Sequence, residues 1–119
     1  MTNRLRELCR AQGLGVLEGP ETNRFDALIQ HYCAKQDLLI EVKASSDRAC
    51  LRLAVGQLLD YRRKLDRAGA TDVAVLLPNK PLRDDLHFLR YLGVKALWFE
   101  RNCTLIAGDW RLRVKPQQA

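Results

Sequence analysis

No C-x-x-C pair occurs in this chain, and neither His31 nor His87 has a second ligand at metal-binding spacing. Cys9, Cys33, Cys50 and Cys103 stand far apart. That spacing argues against a zinc site and against a disulfide framework. Cys9, Cys50 and Cys103 lie among apolar residues and are expected to be small core side chains in a reducing compartment. No apolar run reaches membrane-spanning length, and Met1-Thr2-Asn3-Arg4 opens no signal-peptide hydrophobic region. A cytoplasmic location without a membrane partner is the expectation. There is no internal repeat, low-complexity segment or linker in the 119 residues, so one domain over 1–119 is expected. No G-x-G-x-x-G, Walker loop or Ser-His-Asp pattern is present either.

Acidic residues are the scarcer charge: 14 Asp and Glu face 20 Lys and Arg, for a net charge of +6 at pH 7. A pI near 9.5 favours a polyanionic partner. Arginine dominates the basic set on the longest expected helix, as Arg48, Arg52, Arg62, Arg63 and Arg67. Its planar fork suits phosphate oxygens and also plain surface ion pairs. The hydrophobic fraction of 47% places the chain among ordinary globular domains with a real core.

Periodicity gives the elements. Residues 3–12 read as an amphipathic helix with Leu5, Leu8 and Cys9 on one face, Thr2 as N-cap and Gly13 as stop. Strands follow at 14–18, 24–32 and 38–44, separated by turn chemistry at 19–23 and 34–37. Ser45-Ser46-Asp47 opens a helix over about 47–68, carrying Leu51, Ala54, Val55, Leu58, Leu59 and Leu65 at helical spacing, with Gly69 at its end. Residues 71–77 are nearly all apolar, the pattern of a central strand covered on both faces. A helix over 82–92 is expected to bury Leu82, Leu86, Leu89 and Tyr91 or Leu92, with Gly93 ending it. A strand at 94–99 and a hairpin of 103–107 with 111–114 around Gly108-Asp109 complete the order, and 115–119 are expected to be a loose tail. The result is αβββαβαβ plus a hairpin: an α/β (α+β) mixed sheet flanked by helices. The helix after strand 38–44 is a natural crossover to strand 71–77, making those two strands parallel neighbours.

Leu38-Leu39-Ile40-Glu41-Val42-Lys43-Ala44 carries the chemistry. Alternate residues of a strand share a face, so Leu39, Glu41 and Lys43 lie together, roughly 6.5–7 Å apart in succession. If strand 24–32 pairs with it, Asp26 lies beside Glu41. Two carboxylates that close repel unless a positive group lies between them. Mg2+ suits the place, since it takes oxygen ligands and often uses one or two protein carboxylates. The Val42 backbone carbonyl adds a further oxygen. Lys43 would stand beside the attacking water and a phosphate. The plainer alternative is a cross-strand charge cluster on a solvated face.

Asp26 followed by Glu41-Val42-Lys43 on a hairpin resembles the PD-(D/E)xK nuclease superfamily, the restriction-endonuclease-like, Mrr-like and resolvase-like enzymes. The likeness extends to an αβββαβ core over about 3–77, with 78–119 as a C-terminal αβ(ββ) extension. It reaches the following helix, Ala54-Val55-Gly56-Gln57-Leu58-Leu59-Asp60-Tyr61, where Gln57 and Tyr61 share a face. A phenylalanine, Phe25, precedes Asp26 where the family name has proline. The resemblance implies a Mg2+-dependent endonuclease, with Mn2+ able to substitute, hydrolysing DNA phosphodiesters. It implies Asp26, Glu41, Lys43 and Gln57 as catalytic residues and Asp26, Glu41 and the Val42 carbonyl as metal ligands. Glu7 is a further ligand candidate from the first helix, and Glu18 an alternative to it. Arg48, Arg52 and Tyr61 are candidates to contact nucleic acid.

With no room for a separate sequence-reading module, structure-directed or weakly specific cleavage is expected. Restriction, phage defence, repair and recombination all accommodate it. Cutting both strands favours a homodimer or a partner subunit. A non-catalytic nucleic-acid-binding or assembly module of the same fold is the alternative, and a domain that binds an acidic protein is a third.

Overall fold

The structure is a computed structural model, and it describes residues 2–14, 16–17, 27–33, 36–65, 71–110 and 112–113. Asp26, Glu18, Arg67, Gly69, the turn at 19–23 and the tail at 115–119 lie outside the described residues.

Among the described residues three helices and one mixed sheet follow the expected order: α1 (Thr2–Ala11), β1 (Val16–Leu17), β2 (Ala27–Cys33), β3 (Gln36–Val42), α2 (Arg48–Leu65), β4 (Thr71–Leu77), α3 (Arg83–Tyr91), β5 (Lys95–Glu100), β6 (Leu105–Gly108) and β7 (Leu112–Arg113). Strands lie side by side in chain order. β1, β2 and β3 form an antiparallel meander. β3, β4 and β5 are parallel. β6 then returns antiparallel along β5, and β7 along β6. The return strand was expected to pair within a terminal hairpin; it also extends the main sheet through Leu97↔Gly108 to Glu100↔Leu105.

Alternation along β3 and β4 sorts the core into two halves. Leu39, Val73, Val75 and Leu77 pack under α2 and α3, with Leu51, Ala54, Val55, Leu58, Leu86 and Leu89. Leu38, Ile40, Ala74 and Leu76 pack on the other face with Leu5, Leu8 and Cys9 of α1. The period of 2 in a strand produces this division. Because both faces are covered, β3 and β4 can be apolar at nearly every position. Leu58 is completely buried, and its truncation to Ala would cost roughly 2–5 kcal/mol. Among the described residues no helix is long and apolar enough to cross a membrane.

Local signals explain the helix limits. The Asp47 carboxylate accepts a hydrogen bond from Cys50 N at 2.9 Å, and Ser45 Oγ accepts one from Asp47 N at 3.2 Å. Asp47 is thus the cap of α2. The hydrogen bond from Cys50 N foremost, and next the one that Ser45 Oγ donates to Asp47 Oδ2 at 3.0 Å, hold the Asp47 carboxyl below its ordinary value. Gly93 adopts φ +74° and closes α3 through Gly93 N to Arg90 O and Val94 N to Leu89 O.

Several expected core residues are not core. Leu82 precedes α3 in extended backbone and is exposed, Tyr91 is 82% exposed and Leu92 is half exposed. α3 is only nine residues long, so Leu86 and Leu89 supply its apolar contacts and the third inward position falls to Asp85. Cys103 is exposed and Cys50 only half buried, so of the cysteines expected inside, Cys9 alone is fully covered. Burial pushes the Cys9 thiol up to about 12, which keeps it protonated and inert at neutral pH.

Two backbone features shape the sheet end beyond β5. Arg101, Asn102 and Cys103 all have left-handed φ, at 52°, 53° and 63°. Each such non-glycine residue costs roughly 1–2 kcal/mol, least for Asn. At Gly108, φ is +119° and an added Cβ would lie 2.1 Å from the Ala96 carbonyl oxygen, so only glycine lets β6 approach β5 there.

Candidate active site

The site stands where β3 ends and α2 covers the sheet. Glu41 points to the α2 side by the same alternation that buries Leu39 there, and it is only 5% exposed. A carboxylate this deep needs a positive neighbour. Lys43 provides it, with Nζ 3.3 Å from Glu41 Oε1. Lys43 lies one residue beyond β3, yet its N–H still donates to Leu76 O at 3.0 Å, which keeps its side chain in register with Glu41. On its far side the ammonium donates to Gln57 Oε1 at 2.9 Å. Gln57 is fourteen residues away in sequence and reaches the strand because α2 crosses over β3 and β4. Glu41, Lys43 and Gln57 therefore form one connected group on the α2 face.

The peptide joining Val42 to Lys43 is planar, and its N–H points at β4. Its carbonyl, that of Val42, is thereby directed away from β4, toward the β2 side. The β2–β3 ladder includes Ala27↔Ile40 and Leu28↔Leu39. Asp26 immediately precedes Ala27 in the chain, and Glu41 immediately follows Ile40. Asp26 itself lies outside the described residues.

A hard divalent cation fits the donor chemistry. Glu41 offers a buried carboxylate beside the Lys43 ammonium, and the Val42 carbonyl adds a neutral oxygen on the same strand. Mg2+ commonly uses one or two protein carboxylates and keeps water for the rest. Among the described residues no cluster of three or more His, Cys, Asp and Glu side chains is placed to hold a metal, so a closed all-protein cage is not formed by them.

The other candidate residues separate. Glu7 is 61% exposed on α1, held 2.7 Å from Arg4, and belongs to the helix packed on the opposite sheet face from Gln57. The face assignment of α1, fixed by Leu5, Leu8 and Cys9, thus keeps Glu7 out of the group. Arg48 is committed elsewhere: its guanidinium lies 2.6 Å from Asp84 and 2.7 Å from Asp85, above the Phe88 ring. Hydrogen bonds to Asp84 and Asp85 raise the Arg48 pKa further into its charged range. It is a clamp between α2 and α3, not an open phosphate ligand. Arg52 is exposed on α2. Tyr61, one turn beyond Gln57, is half buried against the α2-side core.

Sequence reasoning missed Asp85, a buried acid at 6% exposure. The signal present was Asp84-Asp85 at a helix start, which reads equally as dipole compensation on the surface.

No family model matches this chain, and no curated protein or solved structure matches it.

Proposed function

We propose that the protein is a divalent-metal-dependent nuclease with a restriction-endonuclease-like core, acting on DNA. The observation that carries this reading is the Glu41–Lys43–Gln57 group: a buried carboxylate, a lysine two residues on, and a glutamine from the crossover helix, joined at 3.3 and 2.9 Å. A solvated cross-strand charge pair would not place its glutamate at 5% exposure.

In this reading Glu41, Asp26 and the Val42 carbonyl hold Mg2+ or Mn2+. The bound metal supplies Lewis-acid polarisation of water and of a phosphate oxygen. Lys43 pairs with the buried glutamate and presents its ammonium to the developing negative charge on the phosphate. Gln57 fixes the lysine by accepting one of its three N–H bonds, so the ammonium is oriented before substrate arrives. The chain's excess of six positive charges favours approach of a polyanion.

The test is incubation of plasmid, linear and branched DNA with Mg2+ or Mn2+, with EDTA as control. Metal-dependent cleavage that disappears in Asp26→Asn, Glu41→Gln and Lys43→Ala is the expected result. Retained cleavage in those variants overturns the assignment. Salt-dependent DNA binding without cleavage, unchanged by Mg2+ and by Glu41→Gln, would identify a binding or assembly module instead.

A further inference from the structure

Resting on the nuclease reading of Glu41 and Lys43, we infer that the cleft between the β4–α3 connection and the β5–β6 turn is a second contact for the same nucleic-acid strand, with Arg101 as its phosphate ligand. The cleft has a volume of about 270 Å3 and lies between Pro78 and Asn79 on one side and Phe99 to Cys103 on the other.

Its location is the first reason. β3, β4 and β5 are parallel, so their carboxyl ends share one side of the sheet. In open α/β sheets ligands gather outside those ends. Val42 pairs with Leu76, and Leu77 with Trp98, so the cleft begins one residue past β4, beside the end of β5. By register Lys43 is level with Trp98, two strand spacings (about 10 Å) across the sheet and three residues (about 10 Å) short of Arg101 along it, so the two are on the order of 14 Å apart. A strand lying across the sheet end spans that separation within a few nucleotides.

The chemistry is the second reason. Arg101, Asn102 and Asn79 are exposed, and among the described residues their side chains have no ion pair or hydrogen bond. Arg101 shares this with the exposed Arg10, Arg52 and Arg83, whereas Arg4, Arg48, Arg63 and Arg90 are each held by a carboxylate. Lys80 adds a cation beside the cleft, its ammonium 5.9 Å from the centre of the Trp98 ring. The one acid of the lining, Glu100, is engaged by Trp98 Nε1 at 2.8 Å.

The third reason is rigidity. Arg101 heads three consecutive left-handed residues, none of them glycine. A turn needed only to reverse the chain is made more cheaply with glycine at such positions. This one is tied at both ends: Thr104 N and Thr104 Oγ1 donate to Arg101 O at 3.1 and 2.7 Å, and Arg4 Nε donates to Cys103 O at 2.6 Å. Strained backbone so well supported is a mark of sites that hold side chains in place for a ligand. The guanidinium is carried on a support anchored to α1.

The experiment measures binding of a labelled DNA duplex with a single-stranded overhang, in EDTA, across a salt series. Arg101→Gly removes the side chain while relieving the left-handed backbone, so it is not expected to unfold the protein; circular dichroism checks this. The expected result is binding weaker by roughly 3–10-fold, with the salt slope reduced by about 1. Lys95→Gln, which removes the same charge at the opposite end of β5, should leave both unchanged. Wild-type affinity and slope in Arg101→Gly overturn the proposal, as does an equal loss in Lys95→Gln, which would mean bulk charge alone. Cleavage by the wild type with Mg2+ is scored separately. DNA binding lost in Arg101→Gly but no cleavage by the wild type would sink the nuclease reading and keep the contact. Absence of DNA binding by the wild type at low salt overturns both.

Discussion

Among the described residues two carboxylates are buried on the α2 side of this sheet, and they are paired in opposite ways. Asp85 is 6% exposed and meets the Arg48 guanidinium with Nε at 2.7 Å and Nη2 at 2.5 Å from one oxygen. The same guanidinium holds Asp84 and covers Phe88. Glu41 is as deeply buried, but its neighbour is an ammonium at 3.3 Å that is shared with Gln57. A planar fork saturated by two acids is an arrangement for holding elements together. At Glu41 a compact ammonium instead bridges the strand-end carboxylate to a neutral amide. Under the proposed nuclease function the difference assigns chemistry to the end of β3, and a structural role to the equally buried pair that locks α2 to α3.

Substitutions can break that contrast. The largest effect is expected from Glu41→Gln, which should lower metal-dependent DNA cleavage by about 10²–10³-fold while the protein remains folded; a cleavage time course with Mn2+ measures it. Gln57→Ala frees the Lys43 ammonium from its second anchor without removing a charge. A smaller loss of cleavage, roughly tenfold, is expected, with DNA affinity unchanged in EDTA. Asp85→Asn should do the reverse of Glu41→Gln: a loss of about 1–2 kcal/mol of stability in urea denaturation, with cleavage per folded molecule retained. If Asp85→Asn abolishes cleavage and Glu41→Gln does not, the two carboxylates have been assigned the wrong way round.

The smallest effect concerns the cap that starts α2 between these sites. The Asp47 carboxyl is held below the ordinary 3.8, first by the Cys50 N–H and then by Ser45. A depressed folded-state value means that its contribution is complete above the unfolded value and is lost as pH falls through the folded one. Asp47→Ala should therefore melt at a slightly lower temperature than the wild type at pH 7. Thermal melts carried progressively below the ordinary 3.8 should narrow the gap between the two curves.

Much of the scaffold was legible because its signals are local. β4 spans the very residues, Thr71–Leu77, that their unbroken apolar character marks, and its parallel pairing with β3 follows from the crossover helix. Ser45 and Asp47 announced the start of α2, and Gly13 and Gly93 adopt the positive φ that helix ends require. Legibility failed where an element was too short for its period to complete. Leu82 and Leu92 fall at the right spacing from Leu86 and Leu89 but lie outside the helical turns of α3. It failed also at Cys103, which was read with the apolar Leu105 and Ile106 that follow, whereas it lies in a left-handed turn at the sheet end.

Sequence by itself determined the order of elements, the two faces of β3 and the membership of Glu41 and Lys43 in one face, because strand alternation is a property of adjacent residues. Gln57 was singled out by the resemblance to the PD-(D/E)xK nucleases. Only the tertiary structure decided which distant groups meet. Lys43 reaches Gln57 because α2 crosses over the sheet, Arg48 is drawn to Asp84 and Asp85 because α3 docks beside it, and Glu7 stays apart because α1 covers the other face. Contacts across 14, 36 and 37 residues depend on how layers pack. Packing is settled by the summed burial of many apolar side chains, and no local pattern around any one charged residue records it.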